Sequence, residues 1–109
     1  EVHRHLGPGL LESTYEECLA FELQERKLKV ERQLELPILY KGNQLCQNYR
    51  IDLLVNNQVV IELKSVSKIE PIHDAQLLTY LKLANKRYGL LLNFNVPVMR
   101  QGIRRLLNG

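Results

Sequence analysis

The middle of the chain carries two apolar runs with a short polar break between them. Residues 49–55 and 58–65 are rich in Val, Ile and Leu, and Asn56-Asn57 lies between them. Because Asn tolerates a positive φ angle, such a pair between two apolar runs is typical of a β-hairpin. The sequence therefore predicts two adjacent antiparallel strands in a central sheet.

Three of the four charged residues in these runs, Asp52, Glu62 and Lys64, lie where a buried strand would be apolar. Side chains alternate between the two faces of a strand, so Glu62 and Lys64 are expected on one face. The apolar residues expected on the other face are Val59, Ile61 and Leu63. Asp52 interrupts the first strand in the same way. Burying an unpaired charge costs on the order of several kcal/mol, so these groups require ionic partners or a bound ion.

The segment from residue 10 to about residue 27 has the pattern of an amphipathic helix. Its apolar residues recur at spacings of three and four: Leu11, Tyr15, Cys18, Leu19 and Leu23. Glu12 lies beside this stripe, whereas Glu16, Glu17 and Glu25 are expected to point to water. As a carboxylate in the first turn, Glu12 either complements the helix dipole or takes part in a functional site, and the pattern leaves both open.

The remaining segments predict a layered α/β protein. Residues 30–40 alternate as a half-exposed strand, in which Pro37 indicates an edge or a bulge, and residues 41–44 form a turn. A helix begins at Pro71 and runs to about Asn85, and a strand covered on both faces spans residues 88–94. A short closing helix is predicted over residues 99–107. The order is helix, three strands, helix, strand, helix, with a mixed central sheet flanked by helices.

The last two predicted helices, which begin at residues 71 and 99, differ in where their polar residues lie. Gln76 and Tyr80 are one turn apart on a face that otherwise reads as apolar, so they are expected to be hydrogen-bonded inside the protein. An ordinary core amide and hydroxyl is the alternative to a functional pair. In the closing helix, the residues expected to point inward are Ile103, Leu106 and Leu107, and those expected to point outward are Arg100, Arg104 and Arg105.

Composition limits the class of protein. A chain of 109 residues and 12.7 kDa is long enough for one domain, residues 1–109, and too short for two ordinary domains. Because the chain begins at Glu1 rather than Met, the sequence leaves open whether residues upstream of Glu1 were removed. No apolar run approaches the roughly 20 residues that a membrane span needs, so we expect a cytoplasmic protein with no membrane partner. Cys18 and Cys46 lack C-x-x-C spacing, so they are expected to be free thiols in a reducing compartment.

The charge is unevenly distributed along the chain. The net charge is +3, yet all 12 acidic residues lie at or before Asp74. The basic residues after that point are Lys82, Lys86, Arg87, Arg100, Arg104 and Arg105. This basic C-terminal third either attracts phosphate groups or forms a solvated face.

Asp52, Glu62 and Lys64 together suit the hydrolysis of phosphodiesters. Hard divalent cations such as Mg²⁺ prefer oxygen ligands and usually take one or two carboxylates, which Asp52 and Glu62 would supply. Such an ion lowers the pKa of its bound water, and an ammonium on the same strand face stabilises oxyanions. The alternative is an ordinary salt bridge between Glu62 and Lys64 on an exposed face, with Asp52 solvated nearby.

Several motifs together carry a family resemblance over almost the whole chain. Gly9-Leu10-Leu11-Glu12-Ser13-Thr14-Tyr15, preceded by Gly7-Pro8, resembles the name-giving motif of the GxxExxY family. That family is similar to the PD-(D/E)xK nuclease superfamily, whose core has the order αβββαβ of a restriction-endonuclease-like fold. Asp52 and Glu62-Leu63-Lys64 match the separated Asp and the Glu-x-Lys of the superfamily, and Gln76-Leu77-Leu78-Thr79-Tyr80 matches its Q-x-x-x-Y helix. Arg50-Ile51 stands where a Pro would precede Asp52.

The resemblance implies a role for each matched residue. Asp52 and Glu62 would bind Mg²⁺ or Mn²⁺, with the Leu63 carbonyl as a further ligand and Glu12 completing the acidic cluster. Lys64 would activate water and stabilise the transition state. Gln76 and Tyr80 would orient Lys64 or contact the phosphate backbone.

Two functions from different classes are carried forward. The first is a Mg²⁺-dependent endodeoxyribonuclease that acts on DNA, with RNA as the alternative substrate and a homodimer as one assembly that the superfamily implies. The second is a catalytically silent module that binds nucleic acid or protein on the same fold. If Asp52 and Glu62 lay on opposite faces of the sheet, the nuclease interpretation would fail.

Overall fold

A mixed β-sheet lies between two helical layers in the computed structural model, which describes residues 1–45 and 49–109. The helices are α1 (Val2–Leu6), α2 (Glu12–Glu25) and α3 (Pro71–Ala84). The strands are β1 (Val30–Leu36), β2 (Leu39–Tyr40), β3 (Asn43–Gln44), β4 (Tyr49–Val55), β5 (Val59–Lys64), β6 (Tyr88–Asn93) and β7 (Ile103–Leu107). The α/β class and the αβββαβ order of the core are therefore confirmed.

The main sheet has the strand order β1-β4-β5-β6-β7. β4 pairs antiparallel with β1 and with β5, whereas β5 and β6 are parallel and α3 connects them. The predicted hairpin is confirmed, because Asn56 and Asn57 between β4 and β5 have φ angles of 51° and 56°. β1 ends at Leu36, directly before Pro37, and the predicted turn is a small hairpin in which Lys41 and Gly42 separate β2 from β3.

Apolar side chains form a core on each face of the sheet. On the α2 face, Tyr15 is fully buried and its ring stacks on Phe94 with centroids 4.4 Å apart. On the α3 face, Leu77 and Leu81 pack against Val60 and Leu91, all of them at most 1% exposed. The strands that both helices cover, β5 and β6, carry the continuous apolar runs for this reason.

The C-terminal segment corrects one prediction. Residues 99–107 do not form a helix: Met99–Gly102 is a single 3₁₀ turn, and Ile103–Leu107 is β7, paired antiparallel with β6 from Leu92↔Ile103 to Tyr88↔Leu107. A short apolar run fits either period, and the open edge of β6 offers hydrogen bonds that a five-residue helix lacks. Consequently Ile103 and Leu107 are 46% and 60% exposed and do not point inward, although Leu106 packs on the α3 face.

The sequence of α3 predicts a buried stripe of Ile72, Gln76, Tyr80 and Leu83 and a helix that is buried on two sides, and this prediction is partly wrong. Ile72 and Leu83 are 69% and 41% exposed, and the buried residues are Leu77, Tyr80 and Leu81, so α3 is buried on one side and not on two. The start of the helix is as predicted, with Pro71 in the first turn and Glu70 forming a capping box with His73.

Cys18 is a half-buried free thiol that packs beside the core on the α2 face. Cys46, for which we predicted a second free thiol, lies outside the described residues. Among the described helices, none is long and apolar enough to cross a membrane.

Candidate active site

Asp52 and Glu62 meet where the hydrogen-bond ladder between β4 and β5 ends. The last regular pair toward this end is Leu53↔Ile61. Beyond it, the Asp52 backbone N–H donates to Glu62 Oε1 at 3.2 Å, and the Leu63 N–H donates to Asp52 Oδ2 at 2.9 Å. Each carboxylate thus accepts a backbone hydrogen bond from the other strand in place of a carbonyl oxygen. The structure brings these two residues together between neighbouring strands, as the nuclease interpretation requires.

Glu62 is a buried carboxyl group beside a second carboxyl group. Its side chain is 6% exposed. Burial, and after it the negative charge of Asp52, raise the pKa of Glu62 from 4.5 to about 9, although the hydrogen bond from the Asp52 backbone and the charge of Lys64 oppose this shift. Without a bound cation, Glu62 therefore holds a proton at neutral pH.

Lys64 lies two residues beyond Glu62 at the end of β5. It is half-buried, and it is opposite Asn93 in the parallel pair of β5 and β6. Because side chains alternate, Lys64 extends to the same face as Glu62, and its charge is close enough to lower the pKa of that carboxyl group. The structure thus groups Asp52, Glu62 and Lys64 at one end of the sheet.

Glu12 reaches this end of the sheet from the first turn of α2. Its Oε2 accepts a hydrogen bond from the Ser65 N–H at 3.0 Å, and the Ser65 hydroxyl donates to the Leu10 carbonyl at 2.8 Å. Glu12 is exposed and contacts the residue after Lys64, so it lies at the rim of the site. Together with residues 9–11 and Asn95 it lines an open cavity of about 870 Å³.

Tyr15, the last residue of the predicted motif, shapes this rim from below. Its hydroxyl accepts a hydrogen bond from the Leu10 N–H at 3.1 Å and donates to the Gly7 carbonyl at 2.5 Å. Since the ring is fully buried against Phe94, it fixes the loop that carries the chain into Glu12.

Tyr80 and Gln76 approach the site from α3. The Gln76 amide donates to the Tyr80 hydroxyl at 3.1 Å. Burial and the nearby negative charge of Glu62 raise the pKa of Tyr80. Tyr80 is 8% exposed, and its ring packs edge-on against Tyr49, whereas Gln76 is exposed rather than internal as we predicted.

The sequence interpretation missed residues that surround the carboxylates. Glu16, expected to point to water, is 6% exposed and accepts hydrogen bonds from Arg32 and Gln33. Gln33 also donates to Asp52 Oδ1 at 3.3 Å. The buried Asn93 binds the Val66 N–H and carbonyl, which fixes the segment that follows Lys64 and Ser65. None of these contacts is local in sequence, so no spacing rule could have found them.

Asp52 and Glu62 are the two neighbouring carboxylates at this end of the sheet that could hold a metal ion. Within residues 1–45 and 49–109, no cluster of three or more His, Cys, Asp or Glu side chains is close enough to hold a metal ion. The pair fits a hard divalent cation, because Mg²⁺ in proteins is bound by one or two carboxylates. The charge of the ion would also offset the repulsion between the carboxylates of Asp52 and Glu62. Glu12 remains a candidate third carboxylate at the rim.

Comparisons with known proteins agree with this architecture. The family model of the PD-(D/E)XK nuclease superfamily matches residues 1–106. The chain is similar in structure to an alkaline exonuclease (LHK-Exo) from Laribacter hongkongensis, with a TM-score of 0.55 and 14% sequence identity. The similarity covers 85% of this chain and 54% of the exonuclease chain, so this chain spans about half of that protein's length. At this identity the likeness shows the fold alone. No curated protein matches the sequence.

Proposed function

The chain belongs to the PD-(D/E)XK nuclease superfamily, and on that premise we propose that it is a divalent-metal-dependent nuclease that hydrolyses phosphodiester bonds in DNA. The finer assignment to the GxxExxY family, and cleavage within a strand rather than from its end, belong to the same proposal. The observation that carries it is the reciprocal pair of hydrogen bonds that places Asp52 and Glu62 side by side between β4 and β5.

Asp52 and Glu62 are the proposed ligands for Mg²⁺ or Mn²⁺, together with the Leu63 carbonyl and, directly or through water, Glu12. When bound, such an ion lowers the pKa of a coordinated water and neutralises charge on the phosphate. Glu62 has to release the proton that burial keeps on its carboxyl group, so cation binding and proton release are coupled.

Lys64 is the proposed catalytic cation of the protein itself. Its ammonium group extends to the face of Glu62, where it can donate hydrogen bonds to the attacking water or to the phosphoryl oxygens. The proposed role of the Tyr80 hydroxyl, which accepts a hydrogen bond from Gln76, is to contact the phosphate backbone or to orient Lys64. These roles rest on the shared end of the sheet and on the motif that each residue matches.

Cleavage assays on purified protein test this function. Linear and circular single-stranded DNA, double-stranded DNA and RNA are incubated with Mg²⁺, with Mn²⁺ and with EDTA. We expect cleavage of DNA that needs the cation, and cutting of the circle separates an endonuclease from an exonuclease. Lys64→Ala should lower the rate by about two orders of magnitude or more, as loss of one stabilising donor does in other enzymes.

Lys29→Ala provides the matched control. Lys29 is an exposed lysine that bonds Asn56 through its backbone, at the opposite end of β5 from Lys64, so the rate should not change. Absence of cleavage, or equal rates for wild type and Lys64→Ala, would contradict the catalytic assignment. Calorimetric titration with Mn²⁺ then identifies the silent binding module, for which wild type and Asp52→Ala would behave alike.

A further inference from the structure

Along β1 and β4, the side chains switch from the α2 face of the sheet to the α3 face at the same level, next to Asp52. On β4, Leu53 and Val55 pack on the α2 face, whereas Ile51 packs on the α3 face. On β1, Arg32 reaches Glu16 of α2, whereas Leu34 packs on the α3 face. Regular strands alternate without such a shift, so the backbone is distorted where Gln33 lies opposite Asp52.

The distortion is located at Gln33, which has a φ angle of +49° inside strand β1. In this left-handed region a residue that has a Cβ atom is less stable than glycine, so the conformation persists only where other contacts impose it. The register continues on both sides, from Arg32↔Leu53 to Leu34↔Ile51. No residue is inserted, and the unusual φ angle instead turns the Gln33 side chain toward the carboxylates.

The amide of Gln33 connects two acidic residues from different elements. Its Nε2 donates to Glu16 Oε1 on α2 and to Asp52 Oδ1 at 3.3 Å on β4. Arg32 neutralises Glu16 with a hydrogen bond of 3.0 Å from its Nε, so the buried Glu16 carboxylate can anchor the amide. An amide is the group that fits, because its two N–H bonds serve two acceptors at once.

We propose that Gln33 is a positioning residue for Asp52, anchored on Glu16 and Arg32. The proposal rests on the proposed function, in which Asp52 binds the cation. With Oδ2 held by the Leu63 N–H and Oδ1 held by Gln33, the Asp52 carboxylate is fixed at both oxygens. Partners of this kind orient a metal ligand before the ion arrives, and their loss typically weakens metal affinity by about 10–100-fold.

Gln33→Gly separates positioning from folding. Glycine accepts the φ angle without strain but lacks the amide, so the thermal midpoint should stay within a few degrees of wild type while the Mn²⁺ dissociation constant rises about tenfold. Activity should fall through kcat, with KM for DNA nearly unchanged. Lys41→Gly is the matched control: Lys41 has a φ angle of 50° in the β2–β3 turn, away from the site, so the Mn²⁺ dissociation constant should not change and the thermal midpoint should stay the same or rise.

Gln33→Glu is the complementary variant. It keeps the size of the side chain but replaces the donor with a carboxylate facing two others, so Mn²⁺ affinity should fall at least as far as in Gln33→Gly. If either variant bound Mn²⁺ as wild type does, the proposal would be overturned.

A measurement without metal keeps this inference separate from the nuclease assignment. In NMR spectra recorded in EDTA, the side-chain amide resonances of Gln33 should shift on Asp52→Asn and stay unchanged on Asp74→Asn, whose partner is Arg104 on β7. Unshifted Gln33 resonances would overturn the positioning role even if the enzyme cuts DNA. Shifted resonances in a protein that cuts no DNA would support positioning while contradicting the proposed function.

Discussion

Glu62 is a carboxyl group that the fold buries next to another carboxyl group, and this placement makes stability depend on pH. Its pKa is raised to about 9 in the folded protein, against 4.5 ordinarily. Between these two values the unfolded chain releases the proton and the folded chain keeps it. Folding stability is therefore greatest below about pH 4.5 with respect to this group, and it falls as the pH rises toward 9.

Glu62→Gln should remove this dependence. The amide is neutral at every pH and its oxygen still accepts the hydrogen bond from the Asp52 backbone, so in EDTA the variant should be more stable than wild type. The difference should grow from pH 5 to pH 9 and reach on the order of several kcal/mol, because each unit of pKa shift corresponds to about 1.4 kcal/mol. Urea unfolding at pH 5, 7 and 9 measures it.

The exposed Glu17, on the outer side of α2, supplies the control. Glu17→Gln should follow the wild-type curve at each pH. Equal pH slopes for wild type and Glu62→Gln would show that Glu62 is ionised in the folded protein.

Residues of the site differ in how far the sequence could predict them. Asp52, Glu62 and Lys64 could be singled out because alternation in a strand is local and a charge at an apolar position stands out. Glu16 could not, since the reason for its burial is Arg32 and Gln33 on a strand that crosses beneath α2. Helical spacing alone predicts that both Glu16 and Glu17 point to water, and only the contacts with β1 bury Glu16.

Elements show the same division between local and nonlocal information. The start of α3 was predictable from Pro71, and the β4–β5 turn from two Asn residues, because both signals act within a few residues. β7 was not predictable, since the choice between helix and strand over residues 103–107 depends on the free edge of β6. A short apolar run fits the helical and the strand period equally well, so its sequence alone does not decide against pairing with the free edge of β6.

Gly102, at the end of the 3₁₀ turn, fixes how β7 approaches β6. A Cβ atom built on Gly102 would lie 2.0 Å from the Asn93 carbonyl oxygen, which is backbone and cannot move aside alone. Gly102→Ala should therefore destabilise the fold by about 1–3 kcal/mol or more, as overpacking does in other cores. Denaturant unfolding measures the loss.

The same substitution should also disturb the site. Asn93 holds the Val66 backbone behind Lys64 and Ser65, so its displacement should lower the rate of the proposed cleavage reaction beyond what the loss of folded protein explains. Gln101→Ala is the control, because Gln101 is the exposed neighbour of Gly102 in the same turn. Wild-type stability in Gly102→Ala would mean that β7 sits farther from β6.

At the scale of the whole molecule, the basic C-terminal third does not form one surface. β7 carries two consecutive arginines whose side chains project to opposite faces of the sheet. Arg104 forms a bidentate pair with Asp74 of α3, with both hydrogen bonds at 2.9 Å, so its charge is compensated. Arg105 is exposed on the other face, the face of α2 and Glu12, and within the described ranges it has no carboxylate partner.

If the chain binds DNA as proposed, this difference predicts distinct effects of the two arginines on the salt dependence of binding. Each phosphate contact by a basic side chain adds about one unit to the slope of log affinity against log salt concentration. Arg105→Ala should lower that slope by about one for a short DNA duplex bound in Ca²⁺ or EDTA, conditions that suppress cleavage. Arg104→Ala should leave the slope unchanged and lower stability by at most about 1 kcal/mol, because its pair is half-exposed. Fluorescence anisotropy between 50 and 200 mM salt measures these slopes. Equal slopes for both variants would show that phosphates do not approach the α2 face at β7. The attraction for DNA phosphates would then have to come from Lys82 on α3 or from Arg100.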